Sequence, residues 1–271
     1  MNIRLPAVDG EFYPSEKFKL ESTLETLFEK AKGISSLKGS DKQKLKALVV
    51  PHAGYIYSGI VAAAGFNLVK PENFRRNPKI LLLGPSHHAD FYSLGATSAK
   101  EWQTPLGNVK IDSLNQKILK KYPKIVEYQD DAHTDEHCLE VEIPFLQKIF
   151  DNKFTLIPLL TGQGRSAEIL PIFENIIKEI DLLVVSSDLS HYYPYELTIK
   201  IDKVANTAIP HADFKTVAEE VEACGKTAIL TLIQLANEYH WQGTLIDYRN
   251  SGDTGGERDS AVGYGCYAFY E

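Results

Sequence analysis

The stretch Leu182-Leu183-Val184-Val185-Ser186-Ser187-Asp188-Leu189-Ser190-His191 carries a continuous apolar run into a loop of small polar residues that ends in histidine. Two other stretches repeat this arrangement. Residues 45–50 lead into Pro51-His52-Ala53-Gly54-Tyr55, and residues 80–83 lead into Gly84-Pro85-Ser86-His87-His88. A fourth apolar run, 154–160, has no histidine after it. Runs of this kind, apolar without strict alternation, suit strands buried on both faces, as in a parallel sheet covered by helices.

Helical patterns lie between and after these runs, at 58–69, 113–121, 136–150, 167–179 and 224–239. Ser15 reads as the N-cap of an earlier helix that carries Phe18, Leu20, Leu24, Leu27 and Phe28 and ends near Lys32, with Gly33 as its stop. The polar stretch 33–46, including the basic run 38–46, reads as a solvated loop before the first strand. The tail, 243–270, holds two β-like runs around a Gly-rich turn at 252–256, which predicts a hairpin or edge strands closed by a β-turn. Strands separated by helices predict an α/β three-layer sandwich with a mainly parallel central sheet, spanning 1–271 as one domain.

The chain has 271 residues, of which 44% are apolar, enough to bury a substantial core. A net charge of −7 argues against a nucleic-acid surface or a polybasic membrane patch. No stretch approaches the ~20 apolar residues of a membrane-spanning helix, and residues 1–14 lack the pattern of a secretory signal. Three cysteines, Cys138, Cys224 and Cys266, are too few and too scattered for a disulfide framework. These features predict a cytoplasmic protein with free thiols.

Ligands in open α/β sheets bind beyond the carboxyl ends of the strands, and parallel strands place those ends on one edge. His52, His87 and His191 are therefore expected in one site, with Asp188 beside them. A single histidine after a strand is more often a capping or packing residue, but three such loops on one edge make coincidence a poor account. Neutral imidazole is the commonest metal ligand, and an acid–base site without metal would use the same residues.

Cys224 opens a helical run, where thiols have lowered pKa values and ligate readily. On its own it reads equally as a small packing residue. The acidic segment Asp130-Asp131-Ala132-His133-Thr134-Asp135-Glu136-His137 reads as a helix N-terminus, with His137 leaning toward the site and a second metal site as the alternative. Glu140 and Glu142, two positions apart, are not expected to face inward together from one helix. His211 and His240 read as surface or packing residues.

The stretch 5–14 (Leu5-Pro6-Ala7-Val8-Asp9-Gly10-Glu11-Phe12-Tyr13-Pro14), the three histidine loops, Thr104-Pro105-Leu106-Gly107, Asp135-Glu136-His137 and Cys224-Gly225 together resemble the successive signatures of the Memo family. Its prokaryotic members are called AmmeMemoRadiSam system protein B. The resemblance runs over nearly the whole chain and implies a fold similar to class III extradiol dioxygenases of the LigB type. Those enzymes hold non-haem Fe(II) with two histidines and a glutamate, and in the Memo family a cysteine takes the carboxylate's place. Carried over by position, the resemblance makes His52, His87 and Cys224 the metal ligands. His191, with Asp188, becomes the acid–base histidine, and His88 lies just outside.

Tyr55, Tyr57, Tyr192 and Tyr193 are expected near the site. Fe(II) is the expected ion, with copper or zinc as alternatives, because a thiolate shifts preference toward softer metals. The resemblance thus implies a metal-dependent oxidoreductase. The other functions it implies are a peptide-binding protein using the same cleft and a component of a modification system with a radical-SAM partner.

Overall fold

The computed structural model describes residues 2–38, 43–92 and 94–271. In chain order the strands are β1 (Ile3–Arg4), β2 (Leu45–Val50), β3 (Lys79–Pro85), β4 (Leu94–Ala96), β5 (Glu101–Thr104), β6 (Gly107–Ile111), β7 (Val126–Tyr128), β8 (Thr155–Thr161), β9 (Leu182–Ser186), β10 (His191–Tyr193), β11 (Gln242–Asn250) and β12 (Ala261–Tyr270). The helices are α1 (Lys17–Lys38), α2 (Gly59–Phe66), α3 (Leu114–Lys121), α4 (Asp130–Thr134), α5 (Ile143–Phe150), α6 (Ser166–Ile176), α7 (Tyr195–Ala208), α8 (Phe214–Glu220), α9 (Lys226–Glu238) and α10 (Ser251–Thr254).

The sheet runs β1-β5-β6-β8-β3-β9-β2-β12-β10, with β11 on β12 and the β4–β7 pair on β8. From β6 to β2 every pairing is parallel. The tail adds the expected antiparallel hairpin, β11 with β12, and β12 pairs antiparallel with β2.

The apolar runs alternate between two cores, although no polar residue marks the alternation. Leu48, Val50, Ile80, Leu82, Leu182 and Val184 pack on one face with α1, α2 and α5. Ala47, Val49, Leu81, Leu83, Leu183 and Val185 pack on the other with α6, α7, α8 and α9. Helix–sheet–helix layering leaves no wet face, so both sets of side chains must be apolar. Pro158, which has no N–H to give, falls between the part of β8 paired with β6 and the part paired with β4.

Several expectations are corrected. Helix α1 continues through Gly33 to Lys38, because Gly33 lies on an open surface while Ala31 and Ile34 still pack on the core. Of the basic run, residues 39–42 lie outside the described residues, and Lys46 is inside β2, paired with Glu271. The turn at 252–256 contains a helical turn, α10, whose Asp253 carboxylate accepts the Asn250 amide at 3.0 Å. The stretch 136–150 becomes helical only at a 3-10 turn, Glu140–Glu142, followed by α5. Glu140 and Glu142 are both fully buried. The tighter turn lies between the N-terminal segment and the sheet, so each carboxyl finds protein on its own side. His211 and His240 are exposed, as expected.

Glu140 anchors the N-terminal segment. Its carboxylate accepts the amides of Ala7 (2.7 Å) and Val8 (3.1 Å) and the Tyr13 hydroxyl, and it pairs with Arg4, itself 2% exposed. Arg4 also donates to the carbonyls of His133 (2.8 Å) and Glu136 (2.6 Å) and lies over the Trp102 ring. Removing one partner of a buried pair strands the other charge. Arg4→Met should therefore cost about 3–5 kcal/mol in denaturant unfolding, and a loss under 1 kcal/mol would contradict this anchoring.

Asp202 supplies a pH test. Its buried carboxyl accepts the Ser190 amide (3.1 Å) and the Tyr248 hydroxyl (2.8 Å), and burial outweighs these bonds, raising its pKa from 3.8 to about 6. A raised carboxyl pKa favours the fold at low pH, and that contribution is lost as pH climbs from about 4 through about 6. Asp202→Asn should become more stable relative to wild type by on the order of 2 kcal/mol across that window. Parallel thermal unfolding curves for the two proteins from pH 4 to 7 would exclude it.

Candidate metal centre

Strand β9 lies between β3 and β2 in parallel register, with Leu83 opposite Val185 and Val50 opposite Ser186. The three histidine loops therefore leave the sheet side by side. Backbone bonds fix the central loop: the Ser187 amide donates to the Val50 carbonyl (2.9 Å) and the Leu189 amide to the Gly263 carbonyl (2.8 Å). The buried Asp188 carboxylate accepts the His52 amide at 2.8 Å, tying the β2 loop to the β9 loop.

Cys224 arrives from outside the sheet, immediately before α9. The Gly225 amide donates to Ser187 Oγ (2.9 Å), and a Cβ on Gly225 would lie 2.7 Å from the Ser187 Cβ, so only glycine permits this approach. Cys224 Sγ then sits 3.3 Å from His52 Nε2 and accepts the Asp188 amide at 3.2 Å.

His52, His87 and Cys224 offer one donor atom each within 4.8 Å of one another. An ion bonded to imidazole nitrogen at about 2.0–2.1 Å and to thiolate at about 2.3 Å would separate two tetrahedral donors by roughly 3.5 Å, so the residues present fit a metal ion. The far nitrogens of both rings are already engaged, His52 Nδ1 with Ser186 Oγ (2.8 Å) and His87 Nδ1 with Glu136 Oε1 (2.9 Å). Each ring is thereby held with Nε2 as its available donor.

Electrostatics favour neutral imidazole and protonated thiol before any ion binds. Burial, with the neighbouring His87, lowers the His52 pKa to about 3. Burial and the nearby Asp188 charge raise the Cys224 thiol to about 12. Asp188 rises to about 6 through burial, partly offset by the His52 amide and by His191. For Glu136, burial pushes upward, but the His87 side chain and the amides of His87 and Cys138 outweigh it and bring the carboxyl to about 2.

His137 lies beside His52 and His87. Its ring stacks on His87 at 4.8 Å, meets His52 edge-on at 5.3 Å, and carries Phe12 at 4.9 Å. His88 is exposed at the periphery, 6.2 Å from His137. His191 opens β10 and shares a cleft of about 470 Å³ with Cys224, Glu222 and Lys226. Tyr192 has a positive φ of 64° at the bulge where β10 meets β12, which turns its ring outward, 74% exposed.

Tyr55 departs from its expected position. It is buried against Tyr13 and Phe145, and its hydroxyl donates to the Val141 carbonyl at 2.7 Å, so it packs rather than lining the cleft. His133 faces away, bonded through Nε2 to the Gly95 carbonyl.

The residue that sequence reasoning overlooked is Glu136. It is 1% exposed, holds His87 through both amide (2.6 Å) and ring, and approaches His137 Nδ1 at 3.3 Å. With His87 and His137 it forms a second possible metal-binding group. Its signal was present in Asp135-Glu136-His137, but a helix-terminus reading of the acidic segment absorbed it.

The chain is similar to known proteins over nearly its whole length. A family model described as Memo-like protein matches residues 4–268. A MEMO1 family protein of Saccharolobus islandicus is 36% identical over 278 residues, covering 96% of this chain and 97% of the relative. One from Saccharolobus solfataricus is 35% identical, with 96% and 97% coverage. One from Sulfurisphaera tokodaii is 34% identical, with 97% of each chain covered. In fold, the chain resembles an uncharacterized protein of Escherichia coli K12, with a TM-score of 0.54 at 14% identity over 83% of this chain and 99% of that one. Matched along nearly its whole length by the family model and by these relatives, the chain belongs to the Memo family.

Proposed function

We propose that the protein binds one redox-capable metal ion, iron or copper, through His52, His87 and Cys224, and that the cleft beside it is an oxidoreductase-type site. The observation that carries this reading is the convergence of three donor atoms from separate elements, with the far nitrogen of each imidazole already bonded. When bound, such an ion would supply Lewis acidity and electron transfer. Two imidazoles and a thiolate suit copper or zinc better than a histidine–carboxylate set does, and zinc in this site would be redox-inert.

The chain's own residues would do the rest. His191 faces the cleft from the neighbouring loop and can take or give a proton, and buried Asp188 lies close enough for the His191 charge to act on it. Glu136 orients His87 and raises its basicity as a ligand. Tyr192, held out at a strained backbone position beside His191, is placed to meet a bound molecule.

Metal analysis of protein prepared without oxygen, then reconstituted with Fe(II) or Cu(I), tests the reading. Wild type should hold near one equivalent, and His52→Ala and Cys224→Ser should hold far less, while His191→Asn keeps its metal. Cobalt(II) should give a sulfur-to-metal charge-transfer band that Cys224→Ser lacks. Equal metal content in wild type and the ligand variants would overturn the assignment. Glu136→Gln should weaken binding about 10–100-fold, as loss of a partner to a ligating histidine does, and an unchanged affinity would remove Glu136 from the site.

A further inference from the structure

Glu142 is a buried acid without the partners that explain its neighbours. Glu140 is satisfied by Arg4, two amides and a tyrosine hydroxyl, and Glu136 by amides and imidazoles. Glu142 is 0% exposed, and its one hydrogen bond among the described residues joins Oε1 to Ser186 Oγ at 3.0 Å, leaving Oε2 unpartnered. A charged carboxylate there would be very costly.

Ser186 Oγ stands at the centre of three groups: the Cys138 carbonyl at 2.6 Å, His52 Nδ1 at 2.8 Å and Glu142 Oε1 at 3.0 Å. A serine hydroxyl has one proton and two lone pairs. The carbonyl can only accept, and it is the shortest contact, so the Ser186 proton goes to Cys138. The two remaining groups must then donate to Ser186. For His52 this places the ring proton on Nδ1, and for Glu142 it requires the neutral acid. Burial raises the Glu142 carboxyl well above its ordinary range, in keeping with that state.

We propose that the Cys138 carbonyl, Ser186 and a neutral Glu142 form a relay that fixes the tautomer of His52, so that Nε2 presents its lone pair toward Cys224. Ser186 is thus the positioning residue, and Glu142 fills its remaining lone pair as a neutral acid. Without the Ser186 hydroxyl, Nδ1 loses its acceptor, and the imidazole proton is free to move to Nε2, where it would block ligation. The arrangement differs from that at His87, whose Nδ1 meets the charged carboxylate of Glu136. One ligand is backed by a charge and the other by a neutral hydroxyl, so the two imidazoles are unequal donors. The tautomer assignment stands on the apo protein, while its consequence for affinity rests on the metal reading above.

Nitrogen-15 NMR of histidine-labelled, metal-free protein, with His52 assigned by its loss in His52→Asn, reads the tautomer directly. Wild type should carry the proton on Nδ1, and Ser186→Ala should shift His52 toward the Nε2-protonated form. Glu142→Gln and Glu142→Leu should both keep the wild-type pattern, because the Cys138 carbonyl still takes the Ser186 proton. Zinc affinity, measured by competition with a chromophoric chelator, should fall about 10–100-fold in Ser186→Ala and stay near wild type in Glu142→Gln. An Nε2-protonated His52 in wild type, a Ser186→Ala variant with unchanged tautomer, or a Glu142→Leu variant whose tautomer changes overturns the relay. An Nδ1-protonated His52 in a protein that takes up no metal leaves the relay standing and overturns the metal reading instead.

Discussion

The arrangement depends on β9 lying between β3 and β2 in parallel register. Parallel neighbours end on the same edge, so three loops that are far apart in sequence leave the sheet side by side. The register is itself enforced by burial. Each strand is apolar on both faces, and a slip of one residue would exchange the side chains that fill the two helix layers. With the register fixed, the Asp188 carboxylate meets the His52 amide and the Ser187 amide meets the Val50 carbonyl, closing the loops on one another.

Three acids between positions 136 and 142 divide the remaining work, and their surroundings decide how. Glu140 is a charged anchor, matched by Arg4 and by donors from the N-terminal segment. Glu136 stays charged because three backbone amides and an imidazole face it, and its charge in turn holds His87. Among the described residues Glu142 bonds a serine hydroxyl alone, and burial drives it toward the neutral acid. Arg4 reaches the Glu136 carbonyl as well as the Glu140 carboxylate, so the N-terminal strand is mechanically continuous with the candidate metal centre.

The thiolate position sets this site apart from a purely histidine–carboxylate centre. Cys224 is delivered by a helix start that closes on Ser187 only because residue 225 is glycine. Burial favours the protonated thiol, so an ion bound there would have to displace that proton. The cleft on its far side holds the His191 imidazole beside Cys224, and the outward-turned Tyr192 follows His191 in the chain.

The sequence by itself determined the layers and the loops. Apolar runs required a sheet covered on both faces, and small-residue loops ending in histidine marked the edge where the candidate ligands gather. Family signatures added Cys224, which spacing alone left as a packing thiol. Only the tertiary structure decided the strand order, the burial of both Glu140 and Glu142, the role of Glu136 and the inward packing of Tyr55. The reason is physical. Periodicity records how many faces of an element are covered, but not by what. The charge state and role of a buried acid depend on donors brought from more than a hundred residues away, as Arg4 is brought to Glu140. No local pattern in the chain carries that information.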